Sequence, residues 1–421
     1  MEYTFKGKKV GIWGFGKTGQ SILSFMNAQG AECLILDNNP LDPFQEELIK
    51  SHNARFVGPE LLAQFIELND FIIPSQGVDI KPLLDHPDAD KFISELDLFS
   101  EFIKTPVIAI TGSAGKTTTT TLLTQLLNLF SKRAIAAGNI GKPMLDVLAD
   151  QNKYDYIVLE VSSTQLEHAK NFTPTIATIL NIFPNHLDRH VDMQAYIEAK
   201  GNLLKNQTED QIVFLPMDSM EILWNVVSKQ KVTWVGSETY MDITKELSDI
   251  TCPPNWQIIL SILEYLDFDP ETVLNYKDKL TVPEHRVEFV GTVNGADFYN
   301  DSKATIPAAT LQAVSQFVDT TIILFLGGLS KGIDRSELIT QLPQNIKHVI
   351  CFGAEAEQLH AWCQESVLPS SVHATLEDGF DMALKKLEPK DIVLFSPSGS
   401  SFDLFKNYEE RGKKFKNLIN Q

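Results

Sequence analysis

No apolar run in these 421 residues is long enough to cross a bilayer. The longest, such as Val107-Ile108-Ala109-Ile110 and Thr321-Ile322-Ile323-Leu324-Phe325-Leu326, are strand-sized, against the roughly 20 residues that a spanning helix needs. The opening Met1-Glu2-Tyr3-Thr4-Phe5-Lys6 has no basic region followed by an apolar stretch, so no secretory signal is read there and a cytoplasmic location is expected. Cysteine is scarce. Cys33, Cys252, Cys351 and Cys363 are scattered with no two-residue spacing, which excludes a zinc-knuckle pattern and a disulfide framework and leaves reduced core residues. Positive charge is also short, with 36 Lys and Arg against 55 Asp and Glu and a formal charge of -19. Nucleic acid, whose phosphates demand a basic footprint, is therefore not an expected partner. An anionic small substrate must then be held by a local basic pocket.

What is present is a soluble enzyme's composition, 43% hydrophobic, in a chain too long for one core. Strand-sized runs alternate with helical patterns, as in parallel α/β sheets. Val10-Gly11-Ile12-Trp13 leads into a glycine turn and a helical pattern through Ile22, Leu23 and Met26; Cys33-Leu34-Ile35-Leu36 ends at Asp37, and Phe71-Ile72-Ile73 ends at Pro74-Ser75-Gln76-Gly77. The alternation restarts at Thr105-Pro106-Val107, and again beyond Thr281-Val282-Pro283-Glu284, which reads as a linker. Three domains are expected: 1–94 with a Rossmann-like parallel sheet, 95–283 with a P-loop ATPase-like parallel sheet, and 284–421 with a second Rossmann-like α/β arrangement. The last should open with a hairpin at Asn294-Gly295, a dipeptide that favours a type I′ turn. No internal repeat or low-complexity tract is found.

The strongest chemical signal is Gly112-Ser113-Ala114-Gly115-Lys116-Thr117-Thr118, between a strand and a helix. Backbone N–H groups of such a loop point at phosphate oxygens and the helix dipole adds positive potential. Lys116 would neutralise the outer phosphates and Thr117 would offer its hydroxyl to magnesium. The two glycines enclose two residues where the usual P-loop has four. A metal–nucleotide site also needs a carboxylate at a neighbouring strand end, and Glu160 stands there, although a plain salt bridge would also use it. His186 follows another strand end, and a lone loop histidine is more often solvated than ligating. Gly14-x-Gly16-x-x-Gly19 with Asp37 fits a dinucleotide fingerprint, which would serve a nicotinamide cofactor or a uridine diphosphate alike. An NAD-dependent dehydrogenase is thus an alternative, but it leaves the second phosphate loop unexplained. In the last domain, Asn300-Asp301-Ser302-Lys303-Ala304-Thr305, Gly327-Gly328-Leu329-Ser330-Lys331-Gly332 and Ser396-Pro397-Ser398-Gly399-Ser400-Ser401-Phe402-Asp403 each follow an apolar run, as anion-binding loops do.

These residues together resemble the Mur ligases of peptidoglycan precursor synthesis, across all three regions. The short phosphate loop, Gly138-Asn139-Ile140-Gly141, and the stretch from His186 through Tyr196-Ile197-Glu198-Ala199-Lys200 resemble the family as a whole. The D-glutamate-adding branch is picked out by Gly16-Lys17-Thr18-Gly19, by the Asp301-Ser302-Lys303-Ala304-Thr305 run and by Ser401-Phe402-Asp403-x-Phe405-Lys406-Asn407-Tyr408-Glu409-x-Arg411-Gly412. The resemblance implies an ATP-dependent ligase that joins D-glutamate to UDP-N-acetylmuramoyl-L-alanine through an acyl phosphate, as a monomer. It implies two magnesium ions, one held by Thr117 and Glu160 and one by His186 with a carbamylated Lys200. Arg286, Asp301, Lys303 and Thr305 then match contacts to ATP or D-glutamate, with Lys331, Ser401, Phe402 and Tyr408 in the D-glutamate pocket. Lys17, Thr18, Asp37, Ser75 and Gly77 match contacts to the uridine nucleotide, and Asn139 a further substrate contact. Closure of the third domain onto ATP is implied too, with an open form when no ligand is bound.

Several positions depart from the family. Ser113-Ala114 replaces Thr-Asn in the loop, Ser75-Gln76-Gly77 replaces Ser-Pro-Gly, Asn38-Asn39 stands where Thr-Arg is common, and Ile306 replaces an asparagine. Of a His-Asn-x-x-Asn element on the adenine side, only Pro254-Asn255-Trp256 remains, and the central region is shortened between about 207 and 283. A ligase for another amino acid, or a degenerate nucleotide-binding protein, are the readings these departures leave beside the main one.

Overall fold

A computed structural model describes residues 4–186, 189–227, 230–248, 250–330 and 332–420. The chain builds three sheets in succession. The first contains β1 (Lys9–Trp13), β2 (Glu32–Leu36), β3 (Arg55–Val57) and β4 (Phe71–Pro74), all parallel, in the order β3-β2-β1-β4. The second contains β5 (Val107–Thr111), β6 (Ala134–Gly138), β7 (Tyr156–Glu160), β8 (Ile176–Ile179), β9 (Ile212–Pro216) and β10 (Lys231–Val235), in the order β10-β9-β8-β5-β7-β6, again all parallel. The third contains β11 (Glu288–Val293), β12 (Ala296–Asn300), β13 (Ile322–Gly327), β14 (Ile346–Phe352), β15 (Ser370–His373) and β16 (Ile392–Phe395), in the order β11-β12-β16-β13-β14-β15. Only β11 runs antiparallel, paired with β12. The turn joining them has Asn294 at φ 50° and Gly295 at φ 80°, the two positive angles of a type I′ hairpin.

Parallel strands joined through helices are covered on both faces, so their side chains split by alternation between two cores. In β5, Val107 and Ala109 enter one core while Ile108 and Ile110 enter another. The first of these cores is continuous from the first sheet into the second, including Val10, Ile12, Leu96 and Phe99 beside Ile157 and Leu159. The second is closed by the helix Lys116–Leu129, through Leu122, Leu123, Leu126 and Leu127, and by the helix Pro253–Tyr265, through the fully buried Trp256. In β13 the same division sends Ile322, Leu324 and Leu326 one way, and Ile323 and Phe325 the other. The four cysteines are free and buried. Among the described residues no helix is long and apolar enough to cross a membrane.

Strand order decides where loops meet. In the second sheet β5 lies between β8 and β7, the chain leaving it towards opposite edges, so a crevice opens beyond its carboxyl end. In the first sheet β1 lies between β2 and β4, and in the third β16 lies between β12 and β13. The loops that stood out in the sequence therefore follow neighbouring strands.

Candidate active site

The loop after β5 takes its shape from two glycines, Gly112 at φ 153° and Gly115 at φ 80°. At Gly115 a Cβ would come within 2.6 Å of Asn255 Oδ1, so the backbone there passes against the start of the Pro253–Tyr265 helix. The segment after β8 holds the other side. Asn181 accepts from Ala114 N at 2.9 Å, its backbone carbonyl accepts from Ser113 N at 3.1 Å, and the Ser113 hydroxyl accepts from Phe183 N at 2.8 Å. Lys116 folds its ammonium over the loop, 2.8 Å from Gly112 O. Burial lowers the pKa of that ammonium, Glu160 opposes the shift and Arg286 reinforces it.

Glu160 ends β7 and is 1% exposed. Its Oε1 accepts from Asn139 Nδ2 at 2.9 Å, while Oε2 is buried with no hydrogen-bond partner. Lys200, on the helix Met193–Gly201, is equally buried, so it is no solvated surface lysine. Its ammonium donates to Gly112 O at 3.0 Å and lies 4.8 Å from the Tyr196 ring centre. Burial drives its pKa well down, the Lys116 charge drives it further, and Glu160 only partly offsets this. A cavity of about 200 Å³ is lined by Lys116, Asn139, Asn185, His186 and Lys200, with Gln76 arriving from the first sheet. His186 adopts a left-handed backbone, φ 55°, and the Asn185 Oδ1 at this cavity is buried and unpartnered. Among the described residues no group of three His, Cys, Asp or Glu side chains forms a ready metal cage. Glu160 and His186 are the two such groups offered here. Two unpartnered oxygens fit a hard cation completed by hydroxyl and phosphate oxygens.

The third sheet's region closes over this loop. Arg286 donates from Nη2 to Thr117 Oγ1 at 2.7 Å, and its Nε is buried without a partner. Lys303 donates to the Tyr408 hydroxyl at 2.7 Å and sits 4.0 Å from that ring's centre. Burial pushes the Lys303 ammonium down to about 8, aided by Arg286 and opposed by Glu160, so charges from two sheets share one electrostatic environment. Asp301 accepts from Ser396 Oγ at 2.7 Å. Burial pushes its carboxyl up to about 7 against that hydrogen bond and the charges of Arg286 and Arg411. Thr305 and the buried Ser401 lie on the loops after β12 and β16, whereas Phe402 is 69% exposed and Lys331 lies outside the described residues. On the far side of the phosphate loop a cavity of about 40 Å³ is lined by Thr118, Thr251, Asn255, Gln312 and Gln316.

In the first sheet, Asp37 accepts from Phe15 N at 2.6 Å and so shapes the turn between β1 and the helix Lys17–Ala28. Ser75 packs so closely that a Cβ on Gly14 would come 2.2 Å from its Oγ. Lys17 is exposed and Thr18 half-buried at the helix start, and a Cβ on Gly77 would meet open space. Asp37, Ser75, Lys17 and Thr18 thus sit at one end of the sheet. Asn139 reaches this region through Gln76, whose amide donates to its Oδ1 at 3.3 Å.

Sequence reasoning missed Asn181, although a polar residue just past a strand's carboxyl end was a usable signal. It also missed Arg335, which had none, since a buried arginine looks like any other until its surroundings exist. Arg335 donates to Gly327 O and Gly328 O at 3.0 and 3.1 Å; Arg411 donates to Gly399 O and Ser302 O at 2.9 and 2.7 Å. Both are fully buried; Arg411 ties the loops after β12 and β16 together, and Arg335 holds the turn after β13 and pairs with Glu355 beyond β14. Arg411→Ala leaves two buried carbonyls unpaired and opens a void. A loss of about 3 kcal/mol in unfolding free energy is expected from urea titration, and a loss under 1 kcal/mol would contradict the latch.

Asp301 has a pH signature. Its pKa is higher in the folded chain than in the unfolded one, so the folded state binds more protons between pH about 4 and about 7 and loses stability as pH rises through that window. Asp301→Asn removes this penalty. The variant should be more stable than the parent by about 2–4 kcal/mol at pH 8, with the gain shrinking towards pH 4. Urea unfolding at several pH values checks this, and a gain independent of pH would refute it.

A short glycine loop opening a helix, a buried carboxylate across from its lysine and a second α/β unit reaching over it define an enzyme that handles nucleotide phosphates. Residues 110–251 match the Mur ligase middle domain, and residues 285–399 match the Mur ligase, glutamate ligase domain. The UDP-N-acetylmuramoylalanine--D-glutamate ligase of Thermoanaerobacter sp. (strain X514) is 32% identical over 448 residues, covering 98% of each chain. That of Koribacter versatilis (strain Ellin345) is 33% identical over 457 residues, covering 98% of this chain and 97% of its own. The chain belongs to the Mur ligase family. The fold is shared with MurF from Acinetobacter baumannii, at a TM-score of 0.61, 13% identity and coverage of 100% of this chain and 92% of that one. It is likewise shared with the MurF ligase of Thermotoga maritima in complex with ADP, at a TM-score of 0.59, 16% identity and coverage of 92% and 95%.

Proposed function

We propose that this chain is an ATP-dependent ligase that joins D-glutamate to UDP-N-acetylmuramoyl-L-alanine through an acyl phosphate, in the cytoplasm. The observation that carries the reading is the meeting of Lys116, Glu160 and Lys200 beneath Arg286, just before β11, in a chain whose 32%-identical relatives bear that ligase's name. Three domains divide the work: 1–94 holds the uridine nucleotide, 95–283 the ATP, and 284–421 the incoming amino acid. The proposed state is a monomer.

ATP phosphates lie along Gly112, Ser113, Ala114, Gly115, Thr117 and Thr118, with Lys116 and the unpaired Arg286 Nε on the transferring group. The L-alanine carboxylate, steered by Asn139 and His186, attacks the γ-phosphorus, and ADP leaves. The D-glutamate amine then attacks the acyl carbon and phosphate leaves; Thr305, Lys331, Ser401, Phe402 and Tyr408 orient that amino acid, while Asp301 and Lys303 face the nucleotide. Magnesium, held by Thr117 and Glu160 at one position and by His186 with carbamylated Lys200 at another, would neutralise phosphate charge when bound. Lys200 suits carbamylation because burial and the Lys116 charge drive its pKa down, which favours the free amine that carbamylation needs. The closed position of the third domain shields the acyl phosphate from water. Opposite the lost adenine-side asparagine, Gln312 contacts Cys252 Sγ and replaces that amide at the base cavity.

The decisive assay measures phosphate release with UDP-N-acetylmuramoyl-L-alanine, ATP, magnesium and a panel of amino acids. Release should depend on D-glutamate. Dependence on another amino acid would replace the proposed specificity, and no release with any of them would end the ligase reading.

A further inference from the structure

The turn after β4 places an amide side chain in the substrate chamber. Val78 N donates to Ser75 O at 2.9 Å, closing a four-residue turn with Gln76 and Gly77 at its centre. At the first central position proline fits best, because its ring presets the backbone angle, so the turn itself gives no reason for glutamine. What the amide meets does. Gln76 lines the chamber with Lys116, Asn139, His186 and Lys200, and is half-buried there. Its Nε2 donates to Asn139 Oδ1 at 3.3 Å, and the Ser162 hydroxyl lies 3.4 Å from its Oε1. The segment that carries the turn is fixed from its other side. Lys81 donates to Arg189 O at 2.9 Å and pairs with Glu167 at 2.8 Å, while Arg189 donates from Nη2 to Val78 O at 3.2 Å. Each of the two cations holds the opposite backbone, which clamps residues 78–81 against the turn that follows His186.

Hydrogen-bond directions set both amides. Asn139 gives one N–H to Glu160 Oε1 at 2.9 Å and accepts from Gln76 through Oδ1, so it cannot turn over without setting its oxygen against the Glu160 carboxylate. Each amide nitrogen carries a second N–H, and among the described residues neither of these meets a further acceptor. Two neutral donors beside Lys116 suit a carboxylate that must stay nucleophilic. They orient it, yet draw off less of its charge than an arginine fork would.

We propose that Gln76 binds the acyl substrate, donating its second N–H to the alanyl carboxylate while its first keeps Asn139 turned to do the same. This rests on the ligase function proposed for the chain, and adds to it a residue that decides how tightly the acid end of the substrate is held.

The test is calorimetry on the full chain, without magnesium or ATP, comparing UDP-N-acetylmuramoyl-L-alanine with UDP, which lacks the acid end. Gln76→Pro removes the amide and keeps the turn, and the Gln76 backbone N–H has no acceptor among the described residues to lose. It should bind the alanyl substrate about tenfold more weakly than the parent. Gln76→Glu is nearly isosteric but sets an oxygen against Asn139 Oδ1 and a negative charge against the carboxylate, so a loss of about a hundredfold is expected. Both variants should bind UDP within about twofold of the parent, which a general distortion of the first sheet's end would not allow. In D-glutamate-dependent phosphate release, KM for the alanyl substrate should rise in step while KM for ATP and D-glutamate stays put. Parent-like affinity for the alanyl substrate in either variant, or UDP affinity falling alongside it, would overturn the proposal, as would a parent that binds the alanyl substrate no better than UDP. A parent that releases no phosphate, with both variants binding as expected, would remove the ligase reading and leave Gln76 as a binding residue.

Discussion

Lys116→Ala is expected to lower D-glutamate-dependent phosphate release by at least about 10³-fold, the largest effect of any single change in the chain. The ammonium already lies over the loop, 2.8 Å from Gly112 O, and is desolvated there, so its charge acts at short range in a medium that screens it poorly. No other cation can take its place. Lys200 is buried 3.0 Å from the same carbonyl with its pKa driven down by burial and by Lys116, and Arg286 is engaged with Thr117. The fold should survive, because the loop's shape rests on glycine angles and on Asn181 and Asn255 rather than on the lysine. Steady-state rates and circular dichroism on the same preparation separate the two effects, and a variant within tenfold of the parent would rule out this role.

Glu160→Gln should cost about 10²–10³-fold in kcat/KM, corresponding to several kcal/mol. Glutamine is nearly isosteric and can still accept from Asn139, so the hydrogen bond at 2.9 Å is kept while the charge goes. The unpartnered Oε2 becomes an amide that repels a cation. The loss is compounded because Glu160 is what holds up the pKa of both Lys116 and Lys200. Without it both pKa values shift further down. Rates measured across a magnesium series provide the check: if the variant matches the parent at ordinary magnesium concentrations, Glu160 is only a structural partner of Asn139.

Much of the framework could be read from local pattern. The type I′ hairpin came from two residues, and the glycine loop announced itself because its backbone conformation requires glycine at fixed places. Of the strands that escaped notice, β3, β6, β10 and β15 are short, polar or alanine-rich, whereas β9, Ile-Val-Phe-Leu-Pro, carried a usable apolar run that was overlooked. β6 reads Ala-Ile-Ala-Ala-Gly and β15 reads Ser-Ser-Val-His. The pairing of β6 and β15 comes from neighbours already in the sheet, and no periodicity in so few residues could signal it. Lys200 marks the same boundary. Its burial exists only because the Met193–Gly201 helix packs beneath the loop after β5.

The sequence by itself determined the chemistry on offer: a two-residue-spaced phosphate loop, a carboxylate at a strand end, and three clusters of small and charged residues after apolar runs. Each is a local property, set by backbone angles and side-chain type within a few residues. Only the tertiary structure decided what those groups become. Strand order brought β7 and β8 to either side of β5, and tertiary packing placed Arg286 on Thr117 across 169 positions of sequence. Burial then turned ordinary groups into perturbed ones, with Asp301 pushed up to about 7 and Lys303 down to about 8. Desolvation depends on everything that surrounds a side chain, and a linear sequence does not contain that information in readable form.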